Sequence, residues 1–368
     1  MSTGSSNQRV DVVTDQAGAE GLVPLWDDLV QRSGSSAWVT PAWMLGWWRT
    51  HRPTARLRIV TVFEGDELVA VGPFCEVGPP ALRLVRFLGQ MHQPNRIVTA
   101  PGKEAAAGAV WGEFRGRASV LDLFDIEDGS GSGYRQLVED PRWTVFDELA
   151  DSTLRIVVED SADEYLLRRG GLRKDLQRKR RKMARDGHVF TVVYGDTPTE
   201  IARLSPEVES IVVAAQRDRF KPGDLEDLSK GSVPGTIAAM ARAGRVHLTL
   251  VRIDERPAAF EFALLGGGSI HSHLTAYDSE WQAYMPGILC LEEVFRWAVD
   301  RGASEFDLGI GVGDYKRRWS DDVCHTRRVV AAPTSARLAW ARAGMSLRGH
   351  MVGLQRRLIR QPSDVEAR

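Results

Sequence analysis

Three strand-like segments joined by short turns constrain the fold of this chain most. Apolar and polar residues alternate in VHLTLVRI (246–253), and the apolar run AAFEFALL (258–265) follows the turn DERP. GGG separates that run from SIHSHLTA (269–276). Period-two alternation is typical of strands, so we predict an antiparallel meander. A predicted helix over 288–301 and a strand over 305–309 complete an α/β unit.

The first half of the sequence has a similar order of elements. We predict one helix over 22–32 and a second that begins at the capping Thr40 and Pro41. Three strands are predicted over 57–63, 67–75 and 82–88. A strand over 119–124, a helix over 134–140 and strands over 143–149 and 154–158 follow, whereas residues 1–11 are interpreted as a frayed lead-in. The shared order indicates a duplicated module. Trp38, Trp43, Trp47 and Trp48 are interpreted as core residues, with a ligand-stacking wall as the alternative.

Composition limits the classes of function. The chain has 368 residues, enough for two domains, and its 48 basic and 49 acidic residues give a net charge of −1. A polyelectrolyte-binding surface, if present, is therefore local. Three widely spaced cysteines argue against a disulfide framework or a cysteine-rich zinc site. We see neither a secretory signal nor a run long enough to span a membrane, so we expect a cytoplasmic protein.

Basic residues are concentrated in two segments. Residues 168–185 contain ten Lys or Arg and one acid, Asp175, and predict a helix that ends near Gly187. This helix is either a solvated connector or a surface for phosphates of a nucleotide-linked acceptor or tRNA. The second segment, 336–360, predicts a basic helix that packs on the body of the protein, or else contacts the inner face of an anionic membrane.

The segment YDSEWQAYMPGILCLEEVFRWAVDRGASEFDLGIGVGDYKRRW (277–319) resembles the core of GNAT acyltransferases. With the basic helix and TPAWMLGWW (40–48), it is similar to tandem-GNAT proteins, namely FemAB-like peptidyltransferases and acetyltransferases of cellulose biosynthesis. The resemblance implies an α/β (α+β) fold of two modules, each a mixed, largely antiparallel sheet flanked by helices. The implied divisions are 12–158, a connecting helix 159–187, the site-bearing module 188–333, and a basic tail 334–368.

The resemblance also implies where a donor binds. GNAT enzymes place a glycine-rich loop before this helix to hold the CoA pyrophosphate, and here only Gln282 and Gly287 match it. Pro286 supplies no N–H, but free N–H groups at the start of a helix bind anions, so Gln282, Gly287 and Ile288 are predicted donor contacts. Acyl-CoA is the leading donor and aminoacyl-tRNA, the donor of FemAB-like relatives, is the alternative; no metal is expected.

The segment Asp314–Trp319 resembles the aromatic–lysine motif of FemAB-like enzymes. Lys316 is predicted to stabilise the oxyanion that develops on the acyl carbonyl, and Tyr315 to stack on the donor or act as an acid. Arg318 is predicted to pair with a phosphate or carboxylate of a substrate. The alternative for all three residues is a solvated basic strand end.

Carboxylates near the meander are candidates for the acceptor side of the reaction. Tyr277 and Asp278 follow the third strand, where Asp278 is either a base or a turn residue and Tyr277 a substrate contact. Glu261 lies within an apolar strand, where an unpaired carboxylate is costly. We therefore expect it to face a polar cleft as a base, or else to be ion-paired.

His271 and His273 are two residues apart on a strand and share one face. His273 is a candidate base and His271 a substrate contact, with packed or surface histidines as the alternative. Asp307 ends the following strand and is predicted to reach the same crevice, or else to be structural.

These features predict an acyltransferase that moves an acyl group from acyl-CoA to an amine or hydroxyl of a small polar acceptor, such as a sugar, nucleotide sugar or amino compound. One alternative is aminoacyl-tRNA-dependent peptidyl transfer to a cell-wall precursor, which alone would require a nucleic-acid partner. The other is a non-catalytic binding module. The sequence does not specify the oligomeric state.

Overall fold

The computed structural model describes residues 8–78, 83–89, 93–115, 119–129, 131–159, 161–218 and 235–343. Within these ranges, thirteen strands form one sheet. The strands are β1 (Gln8–Val13), β2 (Arg56–Glu64), β3 (Glu67–Val77), β4 (Arg83–Phe87), β5 (Val98–Thr99), β6 (Ser119–Glu127), β7 (Thr144–Val157), β8 (Phe190–Gly195), β9 (Val246–Ile253), β10 (Arg256–Leu265), β11 (Ser269–Tyr277), β12 (Glu305–Ile310) and β13 (Asp322–Ala332).

The sheet contains the same arrangement twice. Its order is β1-β2-β3-β4-β6-β13-β7-β12-β11-β10-β9-β8, with β5 paired to β3. Each half has an antiparallel meander whose third strand pairs in parallel with the next long strand, β4 with β6 and β11 with β12. The parallel step requires a crossover connection in both halves. Two modules of the predicted kind therefore share one mixed sheet.

Strands β7 and β13 join the two halves. β7 is one long strand where two short ones were predicted, and it pairs with β13 along most of its length and with β12 at its end. β13, near the end of the described chain, lies between β6 and β7 of the first half. The sheet is continuous across residue 158, so it marks no boundary there. The predicted divisions at 158, 187 and 333 stay predictions.

Helices cover both faces of the sheet. They are α1 (Gln16–Arg32), α2 (Pro41–His51), α3 (Ala107–Gly112), α4 (Tyr134–Val138), α5 (Ala162–Arg168), α6 (Gly170–Arg185), α7 (Pro198–Asp218), α8 (Gly235–Arg242), α9 (Pro286–Asp300) and α10 (Asp314–Arg317). A large core contains residues of α1, α2, α7 and α8, and a second core lies under α5, α6 and α9. Alternation along β10 sends Phe260 and Phe262 into the first core and Ala259 and Ala263 into the second.

The tryptophan-rich segment packs as core. Thr40 caps α2 by accepting the N–H of Trp43 at 3.3 Å, and Pro41 takes the first helical position, as predicted. Trp38 and Trp43 are 3% and 2% exposed and meet edge to face, with 4.8 Å between their ring centroids. Burial of both rings in the large core supports the packing interpretation over a ligand-stacking wall.

Three elements differ from the predictions. Residues 8–13, expected to be mostly frayed, form the edge strand β1 because their backbone pairs with β2. The helix predicted from Leu22 begins at Gln16, where the Asp15 carboxylate accepts the Gly18 N–H. The basic helix is preceded by a separate helix, α5, and ends as predicted with Gly187 in the left-handed region.

The described residues contain no helix long and apolar enough to cross a membrane. Residues 335–343 are helical, and Leu338 and Ala341 pack against the first half of the sheet. The rest of the predicted basic tail, residues 344–368, lies outside the described residues.

Candidate active site

A cleft opens where β11 and β12 stop pairing. Their parallel ladder joins only Ser269–His271 to Glu305–Asp307. Near the point where pairing ends, the protein encloses a cleft of about 600 Å³. Its described lining comprises Ala215, Glu261, Ser272, Thr275, Ala276, Tyr277, Ser279, Gln282, Met285, Gly287, Ile288, Leu291, Leu308 and Tyr315. Such volumes are typical of small-molecule sites.

Glu261 is the buried carboxyl group of this cleft. The residue is 1% exposed, and among the described residues its Oε1 has no hydrogen-bond partner. Burial raises the pKa of Glu261 to about 7, against the smaller opposing effects of a Ser272 hydrogen bond and the charge of Lys316. Near neutral pH this group can therefore both accept and release a proton.

Tyr315 and Lys316 lie side by side on the short helix α10. Tyr315 lines the cleft, and burial, followed by the charge of Glu261, raises the pKa of its hydroxyl to about 12. Lys316 is 7% exposed, and its Nζ donates to the carbonyl oxygens of Gly309 and Ile310 at 2.8 and 2.6 Å. Burial lowers the pKa of Lys316, whereas nearby carboxylates oppose that effect. The segment is helical, so the alternative of a basic strand end is wrong.

The start of α9 offers few backbone donors to a ligand. Met285 precedes the helix in the left-handed region, with a φ of 56°. Its carbonyl accepts the N–H groups of Ile288 and Leu289 at 3.1 and 3.2 Å, and its own N–H donates to the backbone carbonyl of Gln282 at 3.1 Å. Pro286 has no N–H. The Gly287 N–H, in the first helical turn where no helical carbonyl precedes it, is the donor this turn can present.

Gly287 is also tightly enclosed. A Cβ at this position would lie 3.2 Å from Cδ1 of Tyr277, closer than ordinary van der Waals contact. The Tyr277 ring and the first turn of α9 thus form one wall of the cleft. A large side chain at residue 287 would have to enter the space between them.

Two other predicted site residues are engaged elsewhere. Asp278 caps the 3-10 helix Ser279–Tyr284, its Oδ1 accepting the Glu280 N–H at 3.0 Å, as the turn interpretation predicts. Arg318 donates to Asp175 of α6 at 2.5 Å. Neither belongs to the described lining of the cleft.

Both histidines face away from the cleft. The ring of His273 lies edge to face against Trp38 and Trp43, at 5.1 and 5.2 Å between centroids, and burial lowers the pKa of His273 to about 4. His271 also contacts Trp38, so the two histidines share one face as predicted. His271 and Asp307 line a second cleft of about 280 Å³ instead.

The cleft therefore gathers only part of the predicted site. It contains Glu261, Tyr277, Gln282, Gly287, Ile288 and Tyr315, and the charge of Lys316 acts on Glu261 from outside the lining, whereas Asp278, His273, His271, Asp307 and Arg318 lie elsewhere. The roles predicted for all of these residues stay predictions.

Sequence reasoning missed Ser272 and Thr275, which also line the cleft. They are three residues apart, so simple alternation would place them on opposite faces. The pairing of β10 with β11 shifts register between Phe262 and Ala263, whose partners are Leu274 and Ser272, and His273 is left without an opposite residue. This β-bulge turns both hydroxyl groups toward one side, and no local sequence signal marks it.

Comparison with known proteins agrees with this architecture. Residues 170–317 match the family model of the acetyltransferase (GNAT) domain. The crystal structure of FemX is 11% identical, has a TM-score of 0.63, and covers 86% of this chain and 96% of its own. L-PGS from Bacillus licheniformis is 14% identical, has a TM-score of 0.52, and covers 90% and 96%. A search of curated protein sequences gave no match.

The fold and the domain match define the class. The protein has a tandem-GNAT fold, and residues 170–317 in its second half match the GNAT domain model. The predicted resemblance to tandem-GNAT, FemAB-like acyltransferases is thereby confirmed. The narrower resemblance to acetyltransferases of cellulose biosynthesis stays a prediction.

Proposed function

We propose that this protein transfers an acyl group from an acyl-CoA thioester to an amine or hydroxyl of a small polar acceptor. The observation that supports this proposal is Glu261, a buried carboxyl group in a ligand-sized cleft with a pKa of about 7, one of whose oxygens has no hydrogen-bond partner in the part of the chain that the structure describes. A base is most effective when its pKa lies near the working pH. The acceptor is a cytoplasmic sugar, nucleotide sugar or amino compound.

Glu261 acts on the acceptor in this proposal. Its carboxylate removes the proton as the amine or hydroxyl oxygen attacks the thioester carbonyl. The tetrahedral intermediate then collapses, the C–S bond breaks, and the leaving sulfur takes the proton that Glu261 removed, so that a thiol is released and the Glu261 carboxylate is restored. Tyr315 donates a hydrogen bond to the reacting group, because its raised pKa keeps the hydroxyl protonated at neutral pH. The buried charge of Lys316 favours the negative charge of the intermediate.

The donor lies along the α9 wall. Met285, Ile288, Leu291 and Leu308 give the cleft apolar surface that suits an acyl group and the pantetheine arm. The Gly287 N–H and the dipole of α9 favour a phosphate at the start of the helix.

Calorimetry with acetyl-CoA tests the donor. Wild type is expected to bind it saturably, and Gly287→Trp to abolish binding by filling the space beside Tyr277. Gly21→Trp is the matched control, since residue 21 is an exposed helical glycine with no atom within 4 Å of a Cβ. Absence of acetyl-CoA binding in wild type would reject this donor.

A second candidate is transfer from aminoacyl-tRNA, and one contact favours it. Lys179 of the basic helix α6 donates to the carbonyl of Ala283, in the 3-10 helix that lines the cleft with Ser279 and Gln282. Exposed Arg173 and Lys174 lie on the same helix. The occupied N–H groups at the start of α9, including that of Met285 just before it, also weaken a pyrophosphate site. FemX has the same fold, and the predicted resemblance to FemAB-like proteins implies this donor.

Salt dependence separates the two donors. If α6 binds tRNA, affinity should fall steeply with salt, and Arg173→Glu with Lys174→Glu should weaken binding and flatten the slope. Lys103→Glu, an exposed lysine of the first module, is the control. A salt-insensitive affinity that is unaffected by the α6 changes would exclude this candidate.

A further inference from the structure

We propose that the second cleft, between the two modules, is a binding site for a primary ammonium group. It has a volume of about 280 Å³ and lies at the junction of β7, β11, β12 and β13 with residues of the first module. This site is separate from the cleft that contains Glu261, and nothing in the proposed acyl transfer requires it.

A buried histidine nitrogen without a partner marks this site. His271 is 2% exposed, and its Nε2 lies 2.9 Å from Ser269 Oγ. Its Nδ1 has no hydrogen-bond partner among the described residues and lies 3.8 Å from Asp307 Oδ2. Asp307 Oδ1 already accepts the Gly309 N–H at 2.6 Å. A buried nitrogen left in this state is costly unless a ligand or water satisfies it.

His271 Nδ1 and Asp307 Oδ2 together can bind an amine. When Nε2–H donates to Ser269, the His271 Nδ1 is a lone-pair acceptor that faces the second acceptor, Asp307 Oδ2. Two acceptors cannot hydrogen-bond to each other, but with 3.8 Å between them one nitrogen donor can lie within hydrogen-bond distance of both. An ammonium group supplies several N–H donors and a charge that complements the carboxylate.

The charge of the lining points the same way. The described lining contains four carboxylates and two guanidinium groups. Arg96 pairs with Glu127 and Arg155 with Glu305, both at 3.1 Å. Asp128 and Asp307 remain as a formal surplus of negative charge, which attracts a cation and repels an anion such as CoA.

The two clefts lie back to back on the same strands. His271 faces the second cleft and its neighbour Ser272 the first, and Asp307 and Leu308 are divided in the same way. Adjacent residues of a strand point to opposite faces, which explains the division. Binding of a ligand in one cleft can therefore be measured while the other cleft is empty.

Cys324 provides a built-in but slow reporter, because burial raises the pKa of its thiol to about 12 and the thiolate is the reactive form. It is half-buried and lines the second cleft, whereas Cys75 and Cys290 are buried. We would follow modification of Cys324 by 4,4′-dithiodipyridine, which reacts with thiols and not with amines, by intact-protein mass spectrometry, adding cadaverine, L-lysine or the uncharged 1-pentanol at matched ionic strength. We expect saturable slowing by cadaverine or lysine and none by 1-pentanol. The stronger of the two amines identifies a free amine or an amino acid as the source of the group.

Variants locate the ammonium group. Asp307→Asn keeps an oxygen for the Gly309 N–H but removes the charge, and is expected to weaken protection roughly tenfold or more. Asp163→Asn, an exposed acid paired with Arg296, should leave it unchanged. Glu261→Gln should also leave the protection of Cys324 unchanged, even if this variant no longer transfers an acyl group. The ammonium site and the proposed acyl transfer can therefore be refuted separately. Equal protection by 1-pentanol, no protection of wild type, or full protection in folded Asp307→Asn would each overturn the inference.

Discussion

Replacing Glu261 by glutamine tests whether this buried acid, which destabilises the folded state when it is ionised, acts as the base in catalysis. Glutamine has nearly the shape of the protonated acid but cannot ionise. The pKa of Glu261 is about 7 in the folded protein against an ordinary value of 4.5. At about 1.4 kcal/mol per pKa unit, the ionised residue costs the folded state about 3 kcal/mol. Glu261→Gln should remove that cost.

The sign follows from proton linkage. Below pH 4.5 both states of the protein hold the proton, and the contribution of Glu261 to stability is fully present. Between 4.5 and about 7 the unfolded chain has released its proton while the folded protein keeps it, so the free energy of unfolding falls with pH. Above about 7 both are ionised and the loss is complete. The variant should therefore gain little at pH 5 and most at pH 8.

Urea unfolding at the two pH values measures this difference. We expect the stabilisation of Glu261→Gln over wild type to be about 2–3 kcal/mol greater at pH 8 than at pH 5. Glu20→Gln, at an exposed acid of α1 paired with Arg49, is the control and should show no such difference. Equal stabilisation at both pH values, or a less stable glutamine variant at pH 8, would refute the assignment of a raised pKa.

The same variant should lose activity. If Glu261 is the base, kcat/KM of wild type should rise with pH through about 7 as the carboxylate forms. Glu261→Gln should lower turnover by roughly 10²–10⁴-fold and abolish that rise. A more stable protein with full activity would mean that the acid is not the base.

Three further changes follow from local contacts. Thr40→Ala removes the cap of α2 and should cost about 1 kcal/mol in thermal or urea unfolding, whereas Thr40→Ser should cost little. Arg58→Met removes the buried guanidinium that contacts Glu76 and Glu113, while Arg83 stays 3.6 Å from Glu76, and should cost roughly 3–5 kcal/mol, checked by urea unfolding at pH 7. A cost below 1 kcal/mol would mean that the carboxylates are solvated. Lys316→Ala should reduce kcat more than KM, because it removes a charge behind the cleft; unchanged steady-state kinetics would contradict its role.

Local sequence determined much of the fold. Period-two alternation in VHLTLVRI and the apolar run AAFEFALL indicate the strands β9 and β10, and Thr40 with Pro41 sets the start of α2. These signals are readable because each depends on neighbours within a few residues. The pattern around Gly287 and Tyr315 likewise indicated where the cleft would lie.

Tertiary structure decided which residues meet there. The pairing partner of β13 is far away in sequence, and the bulge at His273 depends on the register between two strands. Neither the pairing nor the bulge can be read from the local sequence, because strand register is set by the partner strand and by the core that the strand covers. The sequence determined that Glu261 would lie on an apolar strand. Only the packing of β11, α9 and α10 around it removes the water that would hold its pKa at the ordinary value.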